Sequence, residues 1–515
     1  MFLKDACYPF VIARKSALVM ATNFSAGLLN YFTLFLIARY YALPKFALGI
    51  ISFAYGFVAL FNIIPNMGLP QAHIKRISEG KDIAKCNGTF FSLRLILTLS
   101  MILFVTASLM IWKYVLHRGF ETSMQENAIY VMLAYFILLA LSKNFTFTYR
   151  GKMEIALAQF PFFVEAVARM LSTSFFVFMG YDVIWLVYTY VIGGFAFFIS
   201  SIIFFREPVG KPSREYISSY IKFAIPLSIV SVSYIIMTNI DKVLIQLFWG
   251  YDQGADYFSV VRFSRYINNV TVAFGMLLLP AMSAMHAGNK SKEMAETTVK
   301  AERYMSMIIM PIVFFMIFFA KPIIYIFLSR QFYTAIPIMQ VLPFFALLDA
   351  LERPYQTRLL GMDLPTFARN RMLLMVVINI ALNLLLIPRD IKSVGIQLAG
   401  LAGTGAAIAT VVAYLAGLLY TRIVIYKMDG TGFNVSVAKH LVAALAMGFV
   451  TTYLNNFYTL QRWYELAAFS FLALLVYLAF LILLREFRRE DWNLFMDTIN
   501  PLKMISYIKD EMRRK

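Results

Sequence analysis

The stretch ALVMATNFSAGLLNYFTLFLIARYY, residues 17–41, decides how the rest of the chain is read. It is 25 residues long and carries no charge before Arg39. About 20 apolar residues carry a helix across the hydrocarbon core of a bilayer, and only helices or closed barrels satisfy their backbone there. The stretch has no small-residue cleavage site and is long enough to span, so it reads as a membrane helix rather than a secretory leader.

Thirteen more stretches of this kind follow. Phe46–Asn66, Thr89–Trp112, Asn127–Tyr149, Leu157–Met179 and Ile184–Phe205 complete a first six. Ile221–Trp249, Tyr257–Pro280, Tyr304–Leu328, Ile336–Arg358, Ala368–Ile387 and Gly395–Tyr426 make a second six, and Leu441–Phe457 and Tyr464–Leu484 close the series. The pattern predicts an all-α polytopic membrane protein with about 14 transmembrane helices. Composition agrees, with 60% hydrophobic residues and a mean hydropathy of +0.70, against about 45–50% apolar in soluble domains. Any function is then exercised within or across the membrane, which excludes most soluble enzyme classes.

The net charge of +19 is spread over many short loops, so it speaks of topology rather than of nucleic acid. With the N-terminus placed inside, 31 of the 47 Lys and Arg residues fall on the cytoplasmic side, nine outside and seven within spans. Both termini are therefore expected in the cytoplasm, in a cell (plasma or inner) membrane. Cys7 and Cys86 then face the reducing side and form no structural disulfide. The tail from Arg485 sets Trp492, Phe495, Ile499 and Leu502 on one helical face among basic residues, as an interfacial helix does.

An internal repeat is also legible. Leu36-Ile37 matches Leu244-Ile245, Leu69-Pro70 matches Leu279-Pro280, and Gly80 matches Gly288. An even number of helices separates the copies, so both halves run the same way, related by a pseudo-two-fold along the membrane normal. The expected divisions are a six-helix lobe over 1–210, a second over 211–437, two extra helices over 438–484, and an amphipathic basic tail over 485–515.

Several motifs resemble a known family. Ala38-Arg39-Tyr40-Tyr41-Ala42-Leu43-Pro44 with Gly49 is similar to the end of the first helix in Wzx-type polysaccharide flippases. These belong to the multidrug/oligosaccharidyl-lipid/polysaccharide exporter superfamily, of MATE fold. Phe223-Ala224-Ile225-Pro226, Asn239-Ile240-Asp241-Lys242, Gly254 and Tyr257 resemble the opening of its second half. Asn379, Asn383, Leu386-Ile387-Pro388 and Gly405-Ala406-Ala407-Ile408-Ala409-Thr410 resemble its later signature. The resemblance runs to Leu484, with one departure: Lys45-Phe46 stands where an acidic residue often precedes the glycine region. It implies two six-helix lobes around a cavity that opens alternately to each side. The implied cargo is an oligosaccharide on a polyprenyl phosphate or pyrophosphate, possessing an anionic headgroup. It also implies a transporter rather than an enzyme, working as a monomer beside glycan-assembly proteins and coupled to H+ or Na+. A cation-coupled small-molecule exporter and a lipid II-type flippase are the rivals within the fold. A membrane glycan polymerase is the rival outside it, and this chain lacks the large external loop such an enzyme carries.

Ionisable residues inside spans are costly and mark function by default. Arg262, Arg265 and Asn269 share one face of a span at i, i+3 and i+7. Asp241-Lys242 lies in the preceding span, with Asp241 at about the depth of Arg265. Two readings stand: an Asp241–Arg265 ion pair holding the helices together, or a site for phosphate and sugar. Glu165 and Arg169 are i, i+4 partners, either self-satisfied or facing a cavity. Arg94 and Lys143 are expected to snorkel to the interface. Asn23 and Asn30 make span 1 polar, either as a cavity-lining face or through helix–helix hydrogen bonding. Asp349, Glu352 and Arg353 bind a coupling ion or form a structural network. Gly400, Gly403 and Gly405 lack the Gly-Lys-Ser/Thr of a phosphate loop and read as close helix packing. The four histidines show no metal-ligand spacing, and neither a metal nor a cofactor is expected.

Overall fold

A computed structural model describes residues 8–115, 122–391, 396–487 and 491. The expected tail face and Cys7 lie outside these. Seventeen α-helices are formed among the described residues. They are α1 Tyr8–Tyr40, α2 Pro44–Phe61, α3 Ile63–Asn66, α4 Leu69–Ser78, α5 Ile83–Met110 and α6 Ser123–Gly151. Next come α7 Ile155–Phe178, α8 Val183–Phe204, α9 Arg214–Ala287, α10 Ser291–Phe318, α11 Ala320–Phe327 and α12 Ile336–Val341. The last are α13 Phe344–Gly361, α14 Pro365–Leu386, α15 Ala402–Asp429, α16 Val435–Asn455 and α17 Trp463–Leu483. The only strand pairing among the described residues joins Asp390–Ile391 to Ile396–Gln397.

Among the described residues, twelve segments are long and apolar enough to cross a membrane. One of them, Ser228–Asn268, is the middle of α9, and α1 stands outside the twelve. Spans 7 and 8, expected as separate helices, share one helical trace of 74 residues. Gly250 breaks it with φ 76°, ψ −169°, a conformation that favours glycine. Counting its two limbs separately and adding α1 accounts for the fourteen expected crossings. Spans 2, 9 and 10 are subdivided, into α2–α3, α10–α11 and α12–α13. Pro343 has no N–H to continue the helical ladder, which separates α12 from α13. Span 12 starts at Ala402 instead of Gly395, after Gly400 at φ 65°.

In the first group α1 packs on α7, α7 on α8, α8 on α6, and α2 on α6. In the second, α13 packs on α9, α10 and α15, and α14 on α15. The α16–α17 pair leans on α10. The groups meet where α2 runs along α9. Three glycines let the backbones approach there. A Cβ at Gly49 would strike the Tyr251 carbonyl, one at Gly56 would lie 2.9 Å from Lys242 Cβ, and one at Gly68 would strike the Ala224 carbonyl. The expected packing role of Gly403 and Gly405 also holds, against Ile338 and against Leu386.

Candidate functional site

Two intramembrane arginines meet at one buried tyrosine, Tyr190 of α8, and Lys242 and Arg265 lie close by at the seam. Arg262 of α9 donates to the Tyr190 hydroxyl at 2.8 Å and to the Asn30 carbonyl of α1 at 3.3 Å. The guanidinium of Arg169, on α7, stacks 3.9 Å from the centroid of the same Tyr190 ring. Tyr135 and Tyr55 pack on Tyr190 with centroids 5.4 and 6.1 Å away. Lys242 lies 5.4 Å from the centre of the Tyr55 ring and bonds Asn239 Oδ1 at 2.7 Å. Lys242 and Arg265 each reach the Thr238 carbonyl at 3.0 Å. Arg265 is exposed, while Lys242 and Arg169 are buried.

Helical geometry explains the sorting of charge. Asp241 and Lys242 are adjacent, so their side chains leave α9 about 100° apart. Lys242 turns toward Gly56 and Tyr55 of the first group. Asp241 turns into the second, where Tyr257 donates to it and Asn383 Nδ2 lies at 3.5 Å. The Asp241–Arg265 ion pair is therefore not made, because Tyr257 occupies the carboxylate and Arg265 is spent on a carbonyl. Glu165 is the other acid of the site. It accepts from Tyr135 at 2.7 Å and pairs loosely with Arg169 at 3.8 Å, so the i, i+4 pair forms. Two nitrogens of Arg169, Nε and one Nη, remain buried and unpartnered among the described residues. Four cations thus face two carboxylates, one of which points away.

The remaining sequence candidates separate. The backbone of Asn269 is helical, but its side chain lies outside the described residues. Asn30 has a buried Oδ1 without a partner among the described residues, whereas Asn23 is exposed. Asp349 pairs with Arg353 at 2.6 Å and accepts from Asn268 at 2.8 Å. Glu352 is ion-paired with Arg371 and accepts from Thr421 at 2.7 Å. All three residues of this trio thus have ion-pair partners. Arg94 does not snorkel. It is 1% exposed, stacked 5.4 Å from Phe90 and 5.5 Å from Phe147, because aromatic rings close over its path to the interface. Tyr55, Tyr135 and Tyr190 escaped sequence reasoning, since nothing sets them apart in a chain that is 16% aromatic.

A family profile described as "Polysaccharide biosynthesis protein" matches residues 19–337. The chain belongs to that family. The chain is also similar in fold to solved transporters. One, described as the lipid II flippase MurJ in an inward closed conformation, is 17% identical. That match covers 91% of this chain and 99% of that one, with a TM-score of 0.70. A second is an inward-facing multidrug resistance MATE family transporter of the MOP superfamily, 17% identical over 79% of this chain and 96% of that one, TM-score 0.63. A third is a MOP superfamily transporter from Pyrococcus furiosus, 16% identical over 82% and 96% of the two chains, TM-score 0.54. At these identities the likeness is one of fold. No curated protein matches the chain.

Proposed function

We propose that the protein flips a polyprenyl-(pyro)phosphate-linked oligosaccharide from the cytoplasmic to the external leaflet by alternating access. One observation carries the reading: four cations against two carboxylates at the seam, with Arg265 exposed and Arg262 half-buried. An uncompensated cation inside a membrane costs a few kcal/mol even on lenient scales. An anionic headgroup offsets that cost, and guanidinium forks match phosphate oxygens. A cation exporter on the same fold would need the opposite excess. The basic asymmetry of the loops supports cytoplasmic termini, with the Lys75–Lys85 segment inside and Arg39 outside. H+ or Na+ coupling and action as a monomer belong to the same reading, as does the division at 210, 437 and 484.

The test is leaflet exchange of a fluorescent lipid-linked oligosaccharide in proteoliposomes. Arg265→Ala abolishes exchange while the protein still inserts, and Arg265→Lys retains part, because a point charge attracts phosphate without the fork. Asp241→Asn combined with Arg265→Gln stays inactive, since the two groups are not partners. Full activity in that double variant ends the substrate role of Arg265.

A further inference from the structure

We propose that a cleft at the Arg39 end of the molecule binds sugar rings of the transported glycan, an inference that rests on the flippase reading. The cleft encloses about 590 Å³, within the usual range of small-ligand sites. It brings together three distant parts of the chain: the last turns of α1, the end of α11 and the turn into α17.

Its lining sets two chemistries side by side. Tyr40, Trp463 and Tyr464 offer aromatic faces, at 56%, 66% and 47% exposure. Arg39, Gln461 and Arg462 place donors next to them. Arg39 uses one nitrogen on the Tyr325 carbonyl at 3.1 Å, which holds α1 against the second group. Arg462 reaches the Tyr464 hydroxyl. A hydrocarbon chain needs no donors, and a phosphate needs no aromatic faces. A pyranose needs both, because its C–H face packs on an aromatic ring while its hydroxyls bond at the edge. An interfacial belt of Trp and Tyr faces lipid, whereas these rings share one volume with two arginines.

The position fits the path. The deep end is Tyr31, whose ring lies 4.9 Å from Phe263 and 5.8 Å from Phe327. Phe263 follows Arg262, and Arg262 bonds Asn30, the residue before Tyr31. From Tyr31 to Tyr40 the helix rises about 13 Å at 1.5 Å per residue. A phosphate held at Arg262 therefore leaves its sugars running outward along this face of α1.

The experiment is saturation-transfer NMR on the full chain in lipid nanodiscs, with soluble neutral and uronic-acid trisaccharides and no lipid carrier. The expected result is saturable transfer to ring C–H protons of at least one trisaccharide. Trp463→Ala with Tyr40→Ala weakens it about tenfold, while Trp463→Phe with Tyr40→Phe keeps most of it. Both residues are exposed, so these variants fold. Arg262→Ala leaves saccharide binding intact while abolishing leaflet exchange, so the cleft and the flippase reading fail separately. Absence of saccharide binding in the unaltered protein, or binding indifferent to loss of both rings, overturns the proposal. So does a cleft that takes farnesyl phosphate but no trisaccharide.

Discussion

Lys45, the second residue of α2, holds its ammonium 3.1 Å from the buried carboxylate of Asp256 on α9. Thr334 joins them, accepting from Lys45 at 2.9 Å and donating to Asp256. The pair spans the two groups and closes the seam at the Arg39 end. It also accounts for the one departure from the family motif: the basic residue at position 45 answers an acid across the seam.

Lys45→Ala leaves Asp256 buried and unpaired, which costs about 3–5 kcal/mol. Opening at this end hydrates the carboxylate, so the closed form alone bears that cost. In a background with Cys7 and Cys86 changed to Ser, a cysteine at Gly254 is expected to react with maleimide faster in Lys45→Ala than in the parent. Lys45→Asp with Asp256→Lys returns the slow rate. Equal reactivity in all three would show that the pair holds nothing shut.

Glu352 and Arg371 form a buried pair between α13 and α14. Glu352→Gln strands the Arg371 cation and is expected to destabilise the protein by about 3–5 kcal/mol. The Na+ and pH dependence of transport should stay as it was, because the carboxylate is already committed. A variant with parental melting temperature but altered ion dependence would return Glu352 to a coupling role.

Glu486 follows α17 and is clamped by Arg303 at 2.7 Å and Lys439 at 3.0 Å. Burial by itself raises its carboxyl, but hydrogen bonds from Arg303, Ser436 and Lys439 outweigh this and hold it down to about 2. The folded value lies below the unfolded one of about 4.3. The stabilisation is therefore complete above pH 4.3 and lost as pH falls toward 2. The melting temperature should drop across that window, and Glu486→Gln should flatten the drop while lowering stability at pH 7. An identical acid profile in the variant would remove Glu486 from the account.

The number of crossings, the apolar class and the residues Arg262, Arg265, Lys242 and Arg169 were legible from the chain, because charge inside an apolar run is conspicuous. Partnership was not. Asp241 and Arg265 share a depth, yet depth does not say which way a side chain turns, and Tyr257 claims the carboxylate. Arg94 sits near a helix end by count, but Phe90 and Phe147 close over it. Likewise nothing local to Asn87 tells that it bonds the Pro208 carbonyl and Thr148. The tyrosines around Arg169 and Arg262 come from three helices, and no local pattern assembles them.

The contact between α2 and α9 has a mechanical consequence. Helices that interlock through large side chains separate only when those side chains leave their sockets and change rotamer. At Gly49 and Gly56 one partner offers bare backbone instead, against Tyr251 and Lys242. Such a surface is a bearing rather than a latch: it resists compression but adds little friction to sliding or parting. The resistance to motion is then concentrated at its ends, in polar pairs that water or an anion can replace. The speed of the cycle answers to what is bound there, not to the bulk of the seam.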